Sequence, residues 1–192
     1  GVSCLPLSMV APTRKGMAVT RSFGVPVRDW TAMREAISAF AYRGGEKLRA
    51  HGLAAGVLTV FMHTSPFRPG PSYSNRASIR MEATSDGRTL IGRAAALGEG
   101  LWRDGFDFAK AGIMLDDLRR ADLASDLFPT RDPERAGRLM STIDRLNARF
   151  GRFAVRPAAM GHRMGWRPRA RHISPAYTTV LKDAMVVSTR TR

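Results

Sequence analysis

The chain has 192 residues, 44% of them hydrophobic, and its 31 Lys and Arg against 16 Asp and Glu give a formal charge of +15. That length makes one domain or two small ones with a real core, and the longest apolar-rich stretch, Ala54 to Met62, falls far short of the ~20 residues that span a bilayer, so no membrane segment is expected. The single cysteine, Cys4, excludes an internal disulfide and a cysteine-built metal site, and the excess of cations predicts a polyanionic partner, most simply nucleic acid.

Only Lys15, Lys47, Lys110 and Lys182 are lysines. A GC-rich coding bias would explain arginine over lysine, but not the shortage of acids. No charged-then-apolar leader opens the chain, so no secretion signal is expected, and the lone cysteine makes a reducing, cytoplasmic setting the default expectation. The start at Gly1-Val2 without methionine suggests a fragment or a processed product.

Residues 1–15 carry Pro6 and Pro12, end in Thr13-Arg14-Lys15, and read as an extended basic linker. "GMAVTRSFG", Gly16 to Gly24, alternates as a strand with Met17, Val19, Arg21 and Phe23 on one face and Ala18, Thr20 and Ser22 on the other. Arg21 thus shares the parity of core residues. Either the strand twists or bulges there, or Arg21 acts from the strand's end. A helix capped near Asp29 follows Pro26, with Trp30, Met33, Ile37, Phe40 and Ala41 as its buried stripe and Arg34, Glu35 and Ser38 outside it. Gly44-Gly45 predicts a kink or break, at ~1 kcal/mol per glycine, and the helix ends by Gly52.

"VLTVFMHT", Val57 to Thr64, reads as an interior strand, and Ser65 to Pro71 as a loop that no sheet accommodates. Arg76 to Ala83 alternates most cleanly, with Ala77, Ile79, Met81 and Ala83 facing one way and Arg76, Ser78, Arg80 and Glu82 the other. After a turn at Ser85-Asp86-Gly87, a second helix carries Leu90, Ala94, Leu97 and Leu101 until Gly105, and Phe106 to Leu115 supplies a fourth strand. The order β-α-β-β-α-β over residues 16–116 predicts an α+β, ferredoxin-like fold: a four-stranded antiparallel sheet with two helices on one face. The other face is then open. Residues 117–133 lose periodicity and read as a linker. A small, mostly helical and irregular C-terminal region covers 134–192, where the stripe Leu139, Ile143, Leu146, Phe150 predicts a small core.

"TRSFG", "EKLR", "VFMHTSPF", "WRDGFDFAKAGIMLDDL", "LMSTIDRLNARFG" and "SPAYTT" resemble, in order and spacing, the C-terminal part of the UmuC-like branch of Y-family translesion DNA polymerases. The resemblance runs from residue 1 to about residue 180. It implies that residues 16–116 form a little finger, which grips primer-template duplex during error-prone synthesis in the SOS response. It also implies that the palm lies upstream, with the carboxylates that hold magnesium, so that no cofactor belongs to this chain and the chain alone is inactive. Among partners, the resemblance implies a UmuD′-like dimer and RecA, with no residues assigned. At Ala124-Ser125-Asp126-Leu127-Phe128, sliding-clamp-binding peptides of the family resemble Gln-Leu-Asn-Leu-Phe. Here the glutamine and first leucine are missing, so Leu127 and Phe128 either enter a clamp pocket or dock on their own protein.

Catalytic chemistry finds no support in the residue pattern. Asp116-Asp117 is the only adjacent acidic pair and reads as a solvated turn, Asp104 and Asp107 flank another turn, and His51, His63, His162 and His172 lack zinc-ligand spacing. Backbone grip needs cations and hydroxyls aimed at phosphates without base-edge readers. The candidates are Thr20, Arg21 and Ser22 on the first strand and His63, Thr64 and Ser65 at the end of the second. Arg76, Ser78 and Arg80 lie on the third strand, and Lys110 starts the fourth. The resemblance places "TRSFG" and "HTSPF" at the DNA. Phe23 and Phe61 are expected in the core. The competing reading is a free-standing ferredoxin-like RNA-binding or protein-interaction module, but the stacking Lys/Arg-Gly-Phe-Gly-Phe-type run of RNA-recognition motifs is absent.

Overall fold

The computed structural model describes residues 14–123, 132–162 and 164–167, with positions 180, 182 and 184. In chain order the elements are β1 (Gly16–Val27), α1 (Trp30–Ala50), β2 (Leu53–Thr64), β3 (Ser74–Thr84), α2 (Gly87–Leu101), β4 (Phe108–Arg120) and α3 (Pro133–Phe150), with short 3-10 turns at Ala121–Leu123 and Ala158–Met160. The expected β-α-β-β-α-β order is present. The sheet reads β1-β4-β2-β3, antiparallel throughout, so β4 and β2 are interior and β1 and β3 are edges. Two split units interlock: β4 lies between the parallel pair β1 and β2, joined by α1, and β2 lies between β3 and β4, joined by α2.

Cross-strand rows fix which side chains meet the helices, because directly opposed residues share a face. Val19, Ile113, Val60 and Ala77 form one such row, and Met17, Leu115, Leu58 and Ile79 the next. All except Ala77 and Ile79, on the β3 edge, are buried. Met33, Ile37, Phe40 and Ala41 of α1 and Leu90 and Ala94 of α2 complete this core. Asp29 caps α1, its carboxylate accepting from the Ala32 amide at 2.8 Å, which satisfies an orphan donor of the first turn.

Helix α1 runs unbroken through Gly44-Gly45 instead of breaking there. A Cβ on Gly44 would stand 2.7 Å from Leu115 Cδ1, and one on Gly45 would stand 2.9 Å from the Ser85 carbonyl. The glycines let α1 lie close to β4 and to the start of α2, and that packing overrides their weak propensity. Strand β4 also runs past its expected end. Asp116 and Asp117 lie within it, not in a turn, with Asp117 at φ 51° beside Gly56 and paired to Arg119 at 2.9 Å.

Of the predicted C-terminal stripe, Leu139, Leu146 and Phe150 are exposed and Ile143 alone packs on the core. Helix α3 docks through Ile143 and the face beside it. Met140 is buried, Asp144 holds Arg49 in a two-pronged ion pair at 2.7 and 2.8 Å, and Asn147 donates to the Tyr42 hydroxyl at 3.3 Å. Beyond α3 the chain crosses the outer side of α1, where Met160, Met164 and Trp166 join the main core and Trp166 packs edge-on against Phe40. Ser38, expected outside the stripe, is also fully buried. It lies on the same side of α1 as Gly45, which faces Ser85 and Leu90 at the start of α2.

Burial, with Asp144 as a second cause, raises the Tyr42 phenol above its ordinary value. The neutral phenol is therefore favoured in the folded state, and its stabilisation is complete below the unfolded value of about 10. We expect Tyr42→Phe to flatten the decline in thermal stability above pH ~10, measured against the parent chain. An identical decline in both would disprove this role.

Candidate nucleic-acid interface

The sheet face away from α1 and α2 carries the complementary rows. Ser22, Lys110, His63 and Ser74 cross all four strands in one row, and Thr20, Gly112, Phe61 and Arg76 form the next. Ala18, Met114, Thr59 and Ser78 follow, then Gly16, Asp116, Val57 and Arg80. Seven of the ten predicted residues are connected by this face or its rim: Thr20, Ser22, His63, Arg76, Ser78, Arg80 and Lys110. The period-two register brings them together from four strands far apart in sequence.

Arg76, Ser78, Arg80 and Ser22 are exposed, and Thr20, His63 and Lys110 are half-buried. The Ser78 and Thr59 hydroxyls share a hydrogen bond at 2.8 Å, and either can still turn an oxygen or proton outward. His63 Nδ1 lies 2.9 Å from the Thr64 carbonyl, so that nitrogen carries the proton if the bond forms and Nε2 is left as the second polar atom. Among the described residues no group of three or more His, Cys, Asp or Glu could hold a metal ion. Asp117, at φ 51°, is ion-paired to Arg119, and neither it nor Asp116 belongs to such a group.

Three predicted residues sit elsewhere. Arg21 opposes Ala111, and Ala111 opposes the buried Met62, so its row belongs to the helix side. The register holds through Ser22 and shifts only after it, so no bulge turns Arg21 round. Its guanidinium donates to the Thr20 carbonyl at 3.0 Å. The Thr64 side chain is buried, accepting from the Tyr73 amide at 3.1 Å and donating to its carbonyl at 3.4 Å. Ser65 closes a local turn by accepting from the Phe67 amide at 3.3 Å. Leu127 and Phe128 lie outside the described residues.

Phe61 was expected in the core and instead lies on the open face. Its ring stacks on His63 with centroids 6.2 Å apart and an interplanar angle of 13°. Gly112 makes room for it, since a Cβ there would stand 2.9 Å from Phe61 Cε1 and 2.7 Å from Thr20 Cγ2. Phe23, by contrast, packs against the core as expected. Two further features were not visible in sequence. Phe67, at the tip of the loop after β2, is 95% exposed. That loop is fixed at its far end by Tyr73, whose hydroxyl donates to the Leu101 carbonyl at 2.6 Å.

Among the described residues, no helix is long and apolar enough to cross a membrane. Residues 14–127 match the model of the impB/mucB/samB family C-terminal domain, and residues 137–187 match a domain of unknown function (DUF4113). The chain is 36% identical over 192 residues to protein UmuC of Salmonella typhimurium, covering 97% of this chain and 45% of that protein. It is 36% identical over 182 residues to protein MucB of Escherichia coli, covering 93% and 43%, and 36% identical over 187 residues to protein SamB of Salmonella typhimurium, covering 95% and 44%. It thus spans less than half the length of these curated relatives. With a family model matching more than half of its residues, the chain belongs to the impB/mucB/samB family and carries that family's C-terminal domain.

Proposed function

We propose that this chain is the non-catalytic, DNA-gripping portion of an UmuC-like error-prone Y-family polymerase, its sheet serving as the little finger that holds primer-template duplex during translesion synthesis. The observation that carries the reading is the open face itself, where Lys110, Arg76, Arg80 and the hydroxyls of Thr20, Ser22 and Ser78 share one surface. Cations and hydroxyls suit phosphate oxygens and carry no base-edge code, which is what a grip tolerant of damaged bases requires. The magnesium chemistry and polymerase activity would reside upstream. An SOS role, a cytoplasmic setting, and contacts with a UmuD′-like dimer, RecA or a sliding clamp through Leu127 and Phe128 belong to the same proposal and rest on family membership alone.

Phe61 gives the RNA-binding alternative one specific observation, because a single aromatic ring does lie on an interior strand of the open face. Titrating primer-template DNA and single-stranded RNA of equal charge into the chain separates the two. Tighter binding of duplex, with little dependence on base sequence, is expected. Preference for the single-stranded RNA would overturn the polymerase reading.

A further inference from the structure

Behind the edge of β1 lies a second basic feature that the open face does not use. Arg43, Glu46, Lys47 and Ala50 form one stripe along the end of α1, and with Arg14, Gly16, Met17, Ala18 and His51 they line a groove of about 470 Å³. The groove's one carboxylate, Glu46, is ion-paired to Arg43. Among the described residues no ion pair neutralises Arg14 or Lys47. Lys47 Nζ donates to the Ala18 carbonyl at 3.3 Å, which leaves two of its three donors free. Its ammonium is held below the ordinary lysine value, first by burial and then by the positive charges of Arg43, Arg21 and Arg14. A bound anion would relieve that repulsion.

We propose that this groove is a second phosphodiester-binding site, seating a nucleic-acid strand that leaves the open face around the edge of β1. The inference rests on the functional reading above and adds a separate surface to it. Arg14 lies just before the edge strand and Arg21 lies on it, and both add positive charge around Lys47. The groove's lining includes Gly16 and Ala18, which stand in rows of the open face, so the two surfaces meet along β1. Guanidinium and ammonium groups gathered in one groove suit the closely spaced negative charges of a nucleic-acid backbone. Arg21, placed on the helix side by its register, sits where the two surfaces join.

The test measures binding of primer-template DNA to the full chain as salt is raised, for three variants whose folding is checked by thermal unfolding. Arg14→Gln with Lys47→Gln should weaken binding about ten-fold and lower the salt slope by about two. Glu46→Gln, which frees Arg43, should tighten binding about two- to five-fold, a gain that misfolding does not produce. Arg76→Ala with Lys110→Ala reports on the open face alone. If only that last variant loses affinity, the groove proposal is overturned and the functional reading stands. If only the groove variants change, the groove stands and the open-face reading fails. If no variant changes affinity, both fail.

Discussion

Replacing Arg76, Arg80 and Lys110 together by alanine is expected to weaken duplex DNA binding roughly 10²-fold at moderate salt and to lower the slope of log affinity against log salt by about three. The three cations lie in three different rows of one sheet face, on β3 and β4, so each can meet a different phosphate. Charge-assisted hydrogen bonds contribute ~1.5–3 kcal/mol each before the cost of ordering the side chain, which makes 10² a conservative loss for three. Arg76 and Arg80 are exposed and Lys110 is half-buried, so thermal stability should move by no more than ~1 kcal/mol. Equal losses are expected on duplexes of different sequence. A loss confined to one sequence would mean that bases are being read, and the phosphate account would fail.

The second large effect concerns the C-terminal helix. Arg49→Ala is expected to cost about 2 kcal/mol and to release α3 from the body of the domain. Arg49 uses Nε and Nη2 on the Asp144 carboxylate and Nη1 on the Ser85 carbonyl at 2.6 Å, so one guanidinium ties α1, α3 and the turn before α2. Its side chain is 14% exposed and that of Asp144 is 30% exposed, which places the pair between the surface and buried extremes. Arg49→Lys should recover only part of the loss, because an ammonium cannot make the two-pronged contact. Amide exchange along α3 should accelerate in Arg49→Ala ahead of the sheet. Unchanged exchange in α3 would show that Met140 and Asn147 suffice to hold it.

Local patterns were the legible part of the fold. The alternation of Ala77, Ile79 and Met81 against Arg76, Ser78 and Arg80 gave β3 and its outward face, because a half-buried edge strand keeps strict period two. Asp29 marked the start of α1 for a local reason as well, since a cap needs only its own next turn. The features that depend on partners were not legible. Phe61 lies in "VLTVFMHT", where both strand faces are apolar, and only Gly112 on β4 shows which face has room for its ring. Leu139, Ile143, Leu146 and Phe150 made a convincing stripe, yet only Ile143 of it packs on the core. Helix α3 docks through it together with Met140 and Asp144, where Arg49 and Tyr42 supply the opposing surface. Ser38 fell outside the stripe of its own helix and is buried on the side of Gly45, which meets residues about 40 positions later at the start of α2. Within the site, parity correctly flagged Arg21 as anomalous, and the β1–β4 register resolves it by placing the residue on the helix side of an edge strand.

Backbone amide shifts of the chain, followed as primer-template DNA is added, test the central claim most directly. The account predicts that the largest changes fall on Ser22, Thr20, Gly112, Lys110, His63, Phe61 and Arg76, with the exposed outer residues of α2, such as Arg93, unmoved. Changes concentrated on α2 or α3, with those open-face rows silent, would contradict it.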